Sequence, residues 1–360
     1  MVASMCCRVS QIVAASPGGR MHTSPRLASP SGTMGVQALR RLRVCKQTGT
    51  RRFVVSAVST ADKQTLFQKL DMNIDALRKL PPSERSLGSL ETSTAVLSVL
   101  EDLKSADLLK KFGSLEPARK RIFPRELTQA GIKNPESIGT PSVRNDLAFL
   151  VSVVGVTSVL AVVSLATLPG EWGLWVPFFV GGSAFAVLAV GSTAPGLLEI
   201  PIKFFSQVFP DYRERVLRHE AGHFLVAYFC GVPATGYSLD LGKEHTDLIE
   251  AKLQRRLNAK GKLNASEVDV LAMIAMAGIA AEGMTYDAVT GQNADLLLLQ
   301  RMLNRSEEKL PQNSQIDLTR WAVCQAATVI KENQAAYEKL MAAMKDGASV
   351  SKCIEAIESA

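Results

Sequence analysis

His219, Glu220 and His223 make an HExxH pentad, His-Glu-Ala-Gly-His. On a helix, side chains four apart share a face, so the two imidazoles can hold one Zn²⁺ with the carboxylate beside it. A catalytic zinc takes three protein ligands and keeps one position open for water, whose pKa it lowers toward neutrality. Glu220 is then the general base that accepts this water's proton as a peptide carbonyl is attacked. The chemistry expected is amide hydrolysis. The third ligand must come from elsewhere, and the candidates are His245 in a loop-like run, Glu282 at the end of an apolar helix, and Asp295 after Thr290-Gly291-Gln292-Asn293-Ala294. Spacing leaves all three open. Glu282 has other readings, as the hydrogen-bond acceptor that a zinc-bound imidazole usually requires or as a surface acid at a helix end, and Asp295 has one as a plain helix cap.

The elements that must position these residues read as helices. Asp211 and Glu214 form a capping pattern, residues 224–229 are apolar, and Gly231 and Pro233 are stop signals, so the pentad lies on a helix of about five turns. A short extended piece is expected over 236–241 and a charged helix over 247–260. Ser266 and Asp269 are expected to cap an apolar helix running to Glu282. A further helix over 294–305 carries Asp295 near its start, where the helix dipole favours a carboxylate.

Arg218-His219-Glu220-Ala221-Gly222-His223, then Ala277-Gly278-Ile279-Ala280-Ala281-Glu282, then Thr290-Gly291-Gln292-Asn293-Ala294-Asp295-Leu296 resemble, in order and separation, the peptidase domain of FtsH-type membrane zinc proteases. The likeness covers about residues 212–360, including a helical tail over 318–357. It implies that His219, His223 and Asp295 bind Zn²⁺, that Glu220 is the catalytic base, and that the chain works on protein substrates in an oligomer. The departures are Ile279 where the family usually has Arg, Ala294 where it has Asn, and no recognisable strand and glycine-rich stretch between 231 and 266. There is also no G-x-x-x-x-G-K-[ST] phosphate loop. This chain is therefore expected to bind no ATP, and either to act without its own ATPase or to draw on an FtsH-type protease or ATPase partner. A chain kept only to assemble with or regulate complete FtsH-type proteases is the alternative of a different class.

Up to Ala61 the sequence carries nine Lys or Arg and no acid, with abundant Ser and Ala, which is the composition of a transit peptide over about 1–57. Without those nine, the 41 basic residues become 32 against 34 acids, so the +7 of the whole chain becomes about −2. Net charge therefore points to no nucleic acid. A chloroplast address is favoured over a mitochondrial one. Of six cysteines, Cys6, Cys7 and Cys45 fall in the leader, and Cys230, Cys324 and Cys353 have no paired CxxC spacing, so no disulfide framework is expected.

No charged residue occurs over 147–170 or over 172–198, and each run is long enough to cross a bilayer. Two membrane spans within 147–198 are expected, joined by a turn at 169–173, with Trp172 and Trp175 as interfacial aromatics. Arg144 precedes the first span and Lys203, Arg213 and Arg215 follow the second, whereas the turn holds no Lys or Arg. Both arms should face the synthesis side, which in a plastid is the stroma. Residues 58–145 read as a helical or partner-binding region, amphipathic around Leu97, Leu100, Leu103, Leu108 and Leu109. Its basic stretch, Lys110, Lys111, Arg119, Lys120 and Arg121, is either a lipid contact or a solvated face. The fold class expected is mainly α: a two-helix transmembrane hairpin followed by a helical HExxH metallopeptidase domain over 211–360.

Overall fold

The computed structural model describes residues 60–79, 90–139, 144–240, 245–248 and 262–360. The transit-peptide segment, residues 1–57, lies outside them. The described chain is mainly helical, in the order α1 (Thr60–Arg78), α2 (Leu90–Ser105), α3 (Pro124–Ala130), α4 (Arg144–Thr167), α5 (Trp172–Thr193), α6 (Glu199–Ser206) and α7 (Tyr212–Phe229). Strands β1 (Ala234–Ser238) and β2 (His245–Leu248) follow. Then come α8 (Ala265–Ala275), α9 (Ala277–Thr285), α10 (Gln292–Asn304), α11 (Gln312–Glu332), α12 (Gln334–Lys345) and α13 (Val350–Glu358).

The pentad helix α7 is the centre of the core. From Ala221 to Phe229 every residue is buried, which explains why residues 224–229 are apolar on all sides. Helix α9 crosses it at Gly222: a Cβ there would stand 2.8 Å from the Ala277 carbonyl oxygen, so the fourth pentad residue is small because a backbone passes over it. Helix α12 packs on another side, where the Tyr337 hydroxyl donates to the Arg218 carbonyl at 2.7 Å. Gly231, at φ +75°, closes α7 in the left-handed conformation.

The residues ahead of the apolar helices share this core rather than forming a unit of their own. Leu70, Leu100 and Leu127 belong to the same buried cluster as Phe224, Trp321 and Ile357. Polar contacts join the chain's two ends as well. The Ser351 hydroxyl donates to Asp71 Oδ2 at 2.6 Å, and the backbone amides of Lys110 and Lys111 donate to the Glu358 carboxylate at 3.0 and 2.9 Å. The basic stretch also makes contacts within the protein, while Lys110, Lys120 and Arg121 keep most of their side-chain surface exposed, as a solvated face does. Lys111 Nζ donates to the Ile357 carbonyl, Arg119 pairs with Asp269, Lys120 with Glu126 and Arg121 with Asp317.

Among the described residues, three regions are long and apolar enough to cross a membrane by length and composition: α4, α5 and the joined pair α8–α9. Their environments separate them. The apolar window of α4 is 0% buried and that of α5 11%, against 83% for Ala265–Thr285, which is core. Helix α4 and helix α5 pack on each other across a turn in which Gly170 takes φ +64°. The uncharged run over 172–198 is not one helix: α5 stops at Thr193, and Pro195–Leu198 is a 3₁₀ turn.

Other expectations need correction. A strand pair does follow α7, with β1 and β2 antiparallel in the register Gly236↔Asp247, Tyr237↔Thr246 and Ser238↔His245. Asp247, expected to open a charged helix, is therefore in a strand, and residues 249–260 of that expected helix lie outside the described ones. Asn264, not Ser266, caps α8: its side chain accepts from the Glu267 amide while Glu267 accepts from the Asn264 amide, a reciprocal capping box. The apolar helix also breaks at Met276 into α8 and α9.

Because the core spans both ends of the chain, a fragment beginning at Asp211 leaves the apolar partners of α1–α3 uncovered. It is expected to lose its cooperative thermal transition and near-ultraviolet circular dichroism, while the chain from residue 60 retains both. A fragment melting at the same temperature as the longer chain would contradict the shared core.

Candidate metal centre

Three side chains from two helices converge. His219 and His223 lie one turn apart on α7, and Asp295 is in the first turn of α10. His219 Nε2 and His223 Nε2 are 3.1 Å apart, and each is 3.3 Å from an Asp295 carboxylate oxygen. All three residues are buried. Of the candidates for third member, the structure brings Asp295 to the histidines. His245 is exposed on β2 and is not part of the group.

The tautomers follow from the other ring nitrogen. His223 Nδ1 is 2.8 Å from the Ile274 carbonyl oxygen, which can only accept, so Nδ1 carries the proton. His219 Nδ1 is 2.9 Å from Glu282 Oε1, a carboxylate that likewise accepts. In the neutral rings both Nε2 lone pairs therefore face one another and the Asp295 carboxylate. Asp295 Oδ2 is buried without a hydrogen-bond partner, 3.3 Å from His219 Nε2. Three acceptors meeting in a buried space are relieved by a proton or could hold a metal ion among them. Ligand atoms about 2.0–2.2 Å from one tetrahedral zinc stand roughly 3.3–3.5 Å apart, close to the separations found here.

The electrostatics agree. Burial alone would lower both histidine pKa values, but Asp295, and for His219 also Glu282, outweigh it and hold His219 well above and His223 above the ordinary imidazole value. Burial alone would raise Asp295, and the imidazoles hold it down to about 2.

Glu282 takes the supporting position that was one of its readings. It is 1% exposed, and while Oε1 accepts from His219, its two oxygens also accept from the Thr290 and Gly291 amides at 3.0 and 3.2 Å and from the Thr290 hydroxyl at 3.1 Å. It thus fixes the His219 ring and the loop leading to Asp295, as an acceptor behind a metal-ligating imidazole would. These partners hold its pKa low against the raising effect of burial.

Glu220 is buried, and its Oε2 accepts from the Thr246 hydroxyl on β2 at 2.7 Å. This contact joins residues 26 apart and left no signal in the sequence. Two glycines shape the site. A Cβ at Gly278 would lie 2.5 Å from His219 Nε2 and 2.6 Å from His223 Nε2, and one at Gly291 would lie 2.8 Å from both Glu282 Oε1 and His219 Nδ1. Ile279, at the family's Arg position, is fully buried, and Ala294 is exposed. Burial pushes the Cys230 thiol up to about 12, so it offers no thiolate.

The chain matches no known family model, no curated protein and no solved structure in comparisons of each kind.

Replacing Gly278 with Ala is expected to abolish metal binding, read by isothermal titration with Zn²⁺, because the methyl group occupies the space between the imidazoles. Acidification should act in the same direction. Below the raised pKa of His219 the metal-free site holds a proton that zinc must displace, so affinity should fall as pH falls and level off above that pKa. An affinity unchanged between pH 8 and pH 5.5 would contradict the assigned ligands.

Proposed function

We propose that this chain is a membrane-anchored zinc metalloendopeptidase of the FtsH type, without an ATPase of its own, that hydrolyses protein substrates in a plastid membrane or the adjoining stroma. The observation carrying the reading is the convergence of the His219 and His223 Nε2 atoms and the Asp295 carboxylate, with Glu220 on the same helix as the two imidazoles. His219, His223 and Asp295 would hold the ion, and Glu282 keeps His219 turned toward it. When bound, Zn²⁺ supplies Lewis-acid activation of water and of the scissile carbonyl. Glu220 accepts the proton of the attacking water and delivers it to the leaving amine. Thr246 donates to one oxygen of that carboxylate and so orients it.

The exposed apolar helices α4 and α5 support the anchor, as a two-span hairpin with both arms on one side. The acid-free basic leader supports a chloroplast membrane, thylakoid or inner envelope, with the mitochondrial inner membrane the lesser choice. An oligomer, and an FtsH-type or ATPase partner that delivers unfolded substrate, fit the missing phosphate loop.

One observation favours a second reading, a proteolytically inactive FtsH-like subunit that assembles with or regulates complete proteases. Glu220 is 5% exposed and its carboxylate is already engaged by Thr246.

The full chain in detergent micelles, assayed on unfolded casein with bound metal measured on the same samples, separates the two. The peptidase reading expects one zinc per chain, lost in His223→Ala and Asp295→Ala. Glu220→Gln should keep the zinc and lose cleavage by at least about 100-fold. A wild-type chain that holds zinc and cleaves nothing would leave the inactive subunit.

A further inference from the structure

Helix α4, the first apolar helix, begins against the start of the pentad helix. Arg144 at its first position forks onto Asp211, with Nη1 at 3.1 Å and Nη2 at 3.3 Å from the two carboxylate oxygens. The Arg144 guanidinium also lies 4.8 Å from the centre of the Phe209 ring. Beside it the Asn145 amide donates to the Ser206 hydroxyl at 2.9 Å in a buried contact. From Asp211 the ion pairs run inward: Arg215 Nε is 2.7 Å from Asp211 Oδ2, and Arg215 Nη1 is 3.6 Å from Glu282 Oε2, the carboxylate that holds His219. Arg215 is buried, donates to the Ala288 carbonyl and stacks on Tyr286. A continuous chain of charged groups thus ties the base of an apolar helix to a metal ligand.

That chain fixes a height. His219 is eight residues beyond Asp211, about 12 Å along α7, and Leu147, the first exposed apolar side chain of α4, is three residues or about 4.5 Å beyond Arg144. Along the two helix axes these steps amount to roughly 16 Å between the metal centre and the start of the apolar helix surface, with the width of the Arg144–Asp211 contact in addition. Between α5 and α7 the side chains of Leu197, Phe204 and Val208 are 71%, 65% and 75% exposed. Large apolar groups at that place lie stably in a bilayer interface and seat the underside of the domain on it.

We infer that the metal centre is held at the bilayer surface and acts on the extended juxtamembrane segment of membrane proteins, reaching peptide bonds from about five residues beyond the bilayer edge at about 3.4 Å per residue. The inference rests on the peptidase reading for its chemistry and on the ion-pair chain for its geometry. A polypeptide leaving a neighbouring span already passes the site, so substrate of this class needs no unfolding motor.

The test places the full chain and a single-span substrate with an unstructured arm in the same nanodiscs. A photo-crosslinking residue sits either five or forty positions from the span, on the side of the metal centre. With the Glu220→Gln chain, crosslinks to 212–223 or 286–295 should be at least about fivefold stronger from position five than from forty. Phe204→Ser with Val208→Ser, two exposed positions, should narrow that ratio without unfolding the protein. With the wild-type chain, cleavage should follow the same ruler. Equal crosslinking, or a stronger signal from position forty, would overturn the inference even if casein is cleaved. The expected crosslinking ruler in a chain that cleaves nothing would uphold the surface seating and remove the peptidase reading instead.

Discussion

The structure turns on three hydrogen-bond acceptors that face one another in a buried space. Two imidazoles, each committed through Nδ1 to an outside acceptor, present Nε2 lone pairs to each other and to a carboxylate. In a low-dielectric interior this arrangement is strongly unfavourable unless a positive charge sits among the three. The raised histidine pKa values and the lowered one of Asp295 express that demand in protons. A divalent cation meets it with a larger charge, and the donor set of two nitrogens and one carboxylate oxygen suits zinc.

Much of the surrounding fold can be understood as holding those acceptors against their mutual repulsion. Helix α7 is buried over its whole second half, so His219 and His223 cannot turn outward. Helix α9 presses on it at Gly222 and places Gly278 against the imidazoles, and at its far end it supplies Glu282. Glu282 is the joint of the site, since a single carboxylate binds one ligand ring, the loop before the other ligand, and Arg215. Through Arg215 and Asp211 the same network continues to the base of α4. The His219–His223–Asp295 group and the base of α4 are therefore mechanically connected in a way that separate domains on a flexible linker would not be.

The local features were legible in the sequence because they depend on local physics. The 3.6-residue period and the stop signals at Gly231 and Pro233 located α7, and uncharged length located α4 and α5. Asp295 was singled out by resemblance and the supporting role of Glu282 was visible only as an alternative, since spacing cannot show which distant carboxylate folds back onto a helix. Thr246 and Arg215 left no signal, because each acts through a contact between elements. The β1–β2 pair was missed for a related reason: a two-stranded ladder with a bulge between Ala234 and Gly236 lacks the clean alternation that marks a strand. The shared core of the two ends escaped notice because an amphipathic helix reveals that it has a partner and not which partner it has.

The most direct measurement of the central claim is X-ray absorption at the zinc edge of the metal-loaded full chain. The account predicts a coordination shell of nitrogen and oxygen at about 2.0–2.2 Å with the outer scattering of two imidazoles, reduced to one imidazole in His223→Ala. Sulfur at about 2.3 Å, or a wild-type spectrum unchanged by loss of His223, would contradict it.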